Sequence, residues 1–263
     1  MGAVALSLGL PPLLSLVGTR WTLGILSMLS MFILGTSSWL AQPPRECRRR
    51  RTKLVGWKPF KNPTFTLLFL VNLIHPLTIA IPTTFGPEFS RAVGYSGRMA
   101  SILLAVSSAV GIPSRIAMGW TADLVGHNNM LLLATLAYGA STLTLWLWAA
   151  QTNQGAVWIV YNVVYGCVFG VFTTVINSVQ MGHFGDELYY AYNGVLTSIR
   201  GVGYVIGSPL AGALVSRVKD SDLDGADFNR VIMYTGVLLM VSACCLAGVR
   251  WIDARKNGWK WVM

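Results

Sequence analysis

The chain has 263 residues, 54% of them hydrophobic and only 11% charged, where soluble domains carry about a quarter charged residues. That balance excludes an ordinary soluble fold, and ten Trp and nine Tyr supply the amphipathic rings that settle at membrane interfaces. The net charge of +10 does not point to nucleic acid, because eight of the twenty Lys and Arg crowd into residues 45–61, where membrane topology accounts for them. The four cysteines show neither a disulfide framework nor metal spacing. Cys47 lies in the basic stretch beside a membrane helix, where acylation or a plain reduced thiol both fit.

A helix crossing a bilayer needs about twenty apolar residues. Runs of that kind fall at 2–17 (short), 21–41, 64–87, 98–119, 129–150, 156–180, 190–215 and 231–251. The chain is therefore expected to be all-α, a polytopic transmembrane bundle of about eight helices, since lipid offers no partner for unpaired backbone groups. The first run has no basic leader and leads straight into the second, so it reads as a membrane helix and not a cleavable signal. Its beginning is expected to lie upstream, with Met1 an internal methionine of a longer product.

Turn and charge chemistry separates the runs: Gly18-Thr19-Arg20, a basic loop over 42–62, Gly86-Pro87-Glu88, Gly126-His127-Asn128-Asn129, 151–155, 182–187 and the acidic stretch 219–224. The basic loop divides the chain into two helices (1–41), the loop itself (42–62) and a six-helix segment (63–263). With that loop in the cytoplasm, alternation puts Arg255 and Lys260 there too. The cytoplasm then holds twelve Lys and Arg, against six outside and two within helices.

The six later helices read as two triplets, 64–150 and 156–251, each with one arginine in its middle helix, Arg115 and Arg200. Such weak symmetry fits half of a twelve-helix transporter. Arg115 sits eight residues before Asp123, about 12 Å into the membrane, where a cation costs several kcal/mol unless it is used. Its fork of donors suits a substrate carboxylate, or else a structural partner on a neighbouring helix. Gly119 is expected to let backbones approach, and Asp123 to cap the helix after a tight turn at Gly126.

These residues resemble the major facilitator superfamily, in its monocarboxylate-porter-like branch common in fungi. Gly111-x3-Arg115-x3-Gly119-x3-Asp123-x2-Gly126 resembles the branch's eighth helix and the loop after it. Gly201-Val202-Gly203-x3-Gly207-Ser208-Pro209-x2-Gly212 resembles the eleventh, and Lys61-Asn62-Pro63-x-Phe65 the start of the seventh. Residues 2–34, with their Pro-Pro pair, are similar to the fifth helix and the opening of the sixth. The resemblance implies the last eight of twelve helices, a site in the plasma membrane, and a small organic anion, a monocarboxylate or similar, as substrate. No cofactor is implied, and a coupled proton is left open. Two departures stand out. Leu124, His127 and Asn128 occupy positions that are basic in the superfamily's loop, which weakens the cytoplasmic charge lock. Gly111 replaces the carboxylate that animal monocarboxylate carriers use in proton coupling.

Within the resemblance, Arg115, Arg200, His75 and Asn72 are the expected substrate-binding residues. His75 and Asn72 lie one helical turn apart on a helix that Pro76 and Pro82 should kink. Gly119, Asp123, Gly126, Gly203, Gly207 and Pro209 are the expected gate and conformational residues, the glycines chiefly for packing. Asn162, Tyr165 and Asn177 fit either the cavity lining or hydrogen bonds between helices. Asp186 and Glu187 fit a second latch or plain solvated acids.

Three functions compete. The first is alternating-access transport of a small organic anion, with the lipid bilayer and the solute as partners and no nucleic acid. The second is a non-transporting fragment of such a carrier. The third, a membrane-embedded enzyme, is disfavoured because the three His stand in none of the recognised catalytic spacings.

Overall fold

The computed structural model describes residues 2–40, 56–215 and 224–257. Cys47, the arginine run of the basic loop, Lys219–Asp222 and Lys260 lie outside the described residues, as do the side chains of Asp186 and Glu187. The described residues are almost entirely helical and contain no strand. They divide into two compact units, residues 1–53 and 54–263.

In the first unit, α1 runs Gly2–Leu40 and breaks at Gly18, whose φ of 77° an L side chain rarely adopts. The Thr22 hydroxyl donates to the Gly18 carbonyl at 2.8 Å, occupying a group that the break leaves open. Beyond it, Trp21, Met28, Phe32 and Trp39 are all exposed.

The second unit holds α2 (Pro63–Ile79), α3 (Ile81–Ala92), α4 (Gly97–Val125), α5 (His127–Ser141), α6 (Leu147–Thr152), α7 (Gly155–Leu214) and α8 (Asn229–Asn257). The Asn62 side chain accepts from the Thr64 amide and starts α2, with Pro63 in the first turn. The expected kink falls at Ala80, between α2 and α3, while Pro76 stays inside a regular helix. Tyr165 donates its hydroxyl to the Ile79 carbonyl at this break, 3.1 Å away.

Between α5 and α6 lies a π-helical turn, Thr142–Trp146. It sets Leu143 hard against Gly236 of α8, an insertion no turn residue announced. The break expected over 182–187 contracts to a single residue, Gly185 (φ 65°), so α7 consists of two helices, 155–184 and 186–214. Asp224 caps the approach to α8 in a box with Asp227, and Asn153 donates to the Asp224 carboxylate at 2.6 Å.

Among the described residues, six helical segments are long and apolar enough to cross a membrane: Val17–Leu40, Pro63–Ala92, Gly97–Val125, His127–Thr152, Gly155–Gly185 and Gly225–Arg255. The other two expected spans are also helical. The run at 2–17 is short, and 186–214 is more polar because it carries Tyr189, Tyr190, Asn193, Ser198 and Arg200. Two apolar clusters hold the second unit. One gathers Phe65, Leu68, Phe172, Ile176 and Leu246; the other is an aromatic lattice around Phe89, Trp146, Trp158, Tyr161 and Phe228. Trp158 donates its indole N–H to Ser90 at 2.8 Å, so the lattice buries no orphan donor at that point.

Candidate functional site

The first half of α7 is the axis of the site. Its buried positions 172, 176 and 180 recur every fourth residue, placing Phe172 and Gln180 on one inward face. Against that face packs α2 with Asn72 and His75, both buried. His75 lies flat on Phe172, with ring centroids 3.7 Å apart and planes 6° from parallel.

The second half of α7 returns along α2, and two glycines set the distance. A methyl group at Gly203 would sit 2.7 Å from the Leu73 carbonyl oxygen, and one at Gly207 would overlap Leu77. Without side chains there, the two backbones meet. That approach carries Arg200 to Asn72: Nε and Nη2 donate to the same Asn72 Oδ1 at 3.0 and 2.7 Å. Gln180 Nε2 donates to that oxygen as well, at 3.3 Å. Asn72 Nδ2 in turn donates to the Leu68 carbonyl at 2.7 Å. The guanidinium lies 5.7 Å over the Phe172 ring, which thus carries His75 and Arg200 together.

Arg115 approaches the same helix from α4. Its side chain crosses α7 at Gly170, where a Cβ would collide with it, and its guanidinium lies 5.9 Å over Phe169. Phe169 and Phe172 stand one turn apart, so the two arginines flank neighbouring turns of one helix. Small residues bring α4 close enough: Cβ atoms built at Gly111 and Gly166 would press on the Gly166 and Ser107 carbonyls. Ser114 donates to the Cys167 carbonyl at 2.5 Å. Gly111, the position of the expected carboxylate, is therefore a packing residue with a carbonyl in its way.

Neither arginine has a carboxylate partner within 4 Å among the described residues, where the acids that pair are Asp123 with His127 and Asp253 with Arg250. Beside them, the first half of α7 exposes Thr173, Thr174, Asn177 and Ser178. A polar stripe of this kind on a membrane helix belongs against water or protein and not lipid. Buried within the unit, His75 Nδ1 and Gln180 Oε1 have no hydrogen-bond partner.

The gate residues are more scattered. Gly126 adopts φ 97° and joins α4 to α5 in one residue. Asp123 does not cap α5, which has no side-chain cap; its carboxylate meets His127 at 3.3 Å instead, across the turn. Gly119 has nothing within 4 Å of a built Cβ, so no backbone approach depends on it in this unit, and the same holds for Gly201. Pro209 is exposed and α7 stays helical through it. Asn162 bonds within its own helix, to the Trp158 carbonyl. Sequence reasoning missed Gln180 and Gly170. Gln180 could have been found as a second amide on the buried face of the run 156–180, about five turns after Asn162; Gly170 carried no signal of its own.

The sequence matches the model of the Major Facilitator Superfamily over residues 1–208. The chain belongs to this superfamily. An MFS transporter of Aspergillus flavus, asaE, is 24% identical over 91% of this chain and 53% of its own length. An aspyridones efflux protein of Emericella nidulans, apdF, is 26% identical over 98% of this chain and 51% of its own length. Monocarboxylate transporter 3 of Rattus norvegicus is 23% identical over 75% of this chain and 40% of its own. The chain thus spans about half the length of the curated relatives it matches. It is a multi-pass membrane protein of a family of solute transporters.

Proposed function

We propose that this chain binds a small organic anion, a monocarboxylate or similar acid, and moves it across the plasma membrane by alternating access. The observation that carries this reading is the pair Arg115 and Arg200, two cations beside a polar helix face with no carboxylate within 4 Å among the described residues. A cation kept at membrane depth without a protein counter-ion is stabilised by an anionic ligand. Arg115 and Arg200 line the binding surface, with the buried Asn72 and His75 behind Arg200. Gly203 and Gly207 keep α2 and α7 in contact, so that they move as one body when the pathway opens to alternate sides. Gly119, Asp123, Gly126 and Pro209 belong to the moving parts, Asp123 latching the turn through His127.

The relatives' names support an acidic organic solute and an outward direction: one is a monocarboxylate transporter, another an efflux protein. The test is movement of labelled carboxylates in cells expressing this chain. Arg115→Ala and Arg200→Ala should each lower the rate by about tenfold or more, as expected when one partner of a charge-assisted contact is lost. Unchanged rates in both variants would sink the reading.

A further inference from the structure

The contacts around Asn72 are all within the protein and hold Arg200 by one edge. Its Oδ1 takes three donors, Arg200 Nε, Arg200 Nη2 and Gln180 Nε2, while its Nδ2 is spent on the Leu68 carbonyl. The side chain is fully buried, so nothing of it is left for a solute. The amide has one workable orientation, because turning it over would point its NH2 at the guanidinium and its oxygen at a carbonyl. Arg200 is thereby fixed through one edge, over Phe172, while Nη1 has no acceptor among the described residues.

A carboxylate in the same place would anchor the guanidinium better, through a bidentate pair. It would also cancel the charge. The amide anchors without neutralising. Gln180 braces it from behind and is likewise an amide, fully buried, with Oε1 unpartnered. Two neutral amides where acids would be the stronger partners for an arginine form a pattern with a consequence: the positive charge of Arg200 stays available to whatever enters.

We infer that Asn72, braced by Gln180, is the positioning residue that sets charge selectivity, holding Arg200 rigid and un-neutralised so that the site takes a carboxylate in preference to its neutral isostere. The inference rests on the anion-binding reading above.

The test uses the full chain in detergent, with benzoate and its neutral isostere benzamide as probes and the ligand-induced rise in thermal midpoint as readout. Wild type should be stabilised by benzoate and much less by benzamide. Asn72→Asp should weaken benzoate by about tenfold or more while changing benzamide by less than about twofold, since only the charge is altered at an isosteric site. Gln180→Glu, placing the acid one contact further back, should shift the preference the same way and serves where Asn72→Asp does not fold. Asn72→Ala, which loosens Arg200 without cancelling it, should weaken benzoate yet keep benzoate above benzamide. If wild type gains nothing from benzoate, the anion site and this inference fall together. If wild type responds but the two acidic variants keep its preference, or Asn72→Ala loses the preference as fully as Asn72→Asp, the inference alone is overturned.

Discussion

Arg200 reaches its partner because two residues nearby have no side chain, and those glycines are not equivalent to their neighbours. Gly203 faces the Leu73 carbonyl at 2.7 Å from a built Cβ, whereas Gly201, two residues earlier, faces open space. Gly203→Ala should therefore destabilise the protein by about 1–3 kcal/mol through overpacking. Gly201→Ala should be neutral or stabilise by up to about 1 kcal/mol through helix propensity. Thermal unfolding of both variants in detergent checks this; equal losses would refute the assignment. The sequence presents both as members of one glycine-rich run, and nothing local separates them. What separates them is the α2 backbone, more than a hundred residues away. The same distance hides Gln180, 108 residues from Asn72. Arg115, Arg200, His75 and Asn72 stand out in the sequence because ionisable and amide groups in apolar runs are costly; the structure brings Asn72 and Arg200 into contact and sets His75 and Arg200 on one ring, Phe172, while their binding of a solute is the proposal the transport assay tests.

At the scale of elements, what was legible depended on whether the break was made locally. Gly18, Gly126 and Gly185 each take a positive φ that the sequence offers openly. The kink in the 63–92 helix was announced by prolines but falls at Ala80, where Tyr165 accepts the task of partnering the Ile79 carbonyl. Tyr165→Phe keeps the ring and removes that donor, leaving a buried carbonyl unpaired at a cost of about 1–3 kcal/mol. Unfolding midpoints measure it, and a variant as stable as wild type would show that the break holds without the hydroxyl. The π turn at Thr142–Trp146 had no such local mark. Its extra residue is accommodated by contacts between helices, Leu143 on Gly236 and Thr142 beside the Tyr161 hydroxyl at 3.3 Å, and periodicity within α5 does not register them.

Over the six-helix unit as a whole, the exposed surface is of two kinds, and the difference predicts what each side faces. On the first half of α7 the exposed residues include Thr173, Thr174, Asn177 and Ser178. Around α8 the surface is apolar, with an open groove of about 420 Å³ walled by Leu67, Leu143, Val237, Met240 and Val241, in which Cys244 and Cys245 lie. Lipid suits the second surface and penalises the first. Cys244 is native and exposed, so it serves as the lipid-side reference once the other three cysteines are replaced. In intact membranes, a water-soluble maleimide should modify Asn177→Cys readily and Cys244 hardly at all, because the reaction needs a thiolate and the thiolate needs water. In detergent with the protein unfolded both should react, which separates shielding from an inert thiol. Saturating benzoate should slow the labelling of Asn177→Cys if that face and the two arginines bound one cavity. Equal labelling of both positions in the membrane would mean that the polar stripe does not line a pathway, and would remove the reason for treating Arg115 and Arg200 as parts of one site.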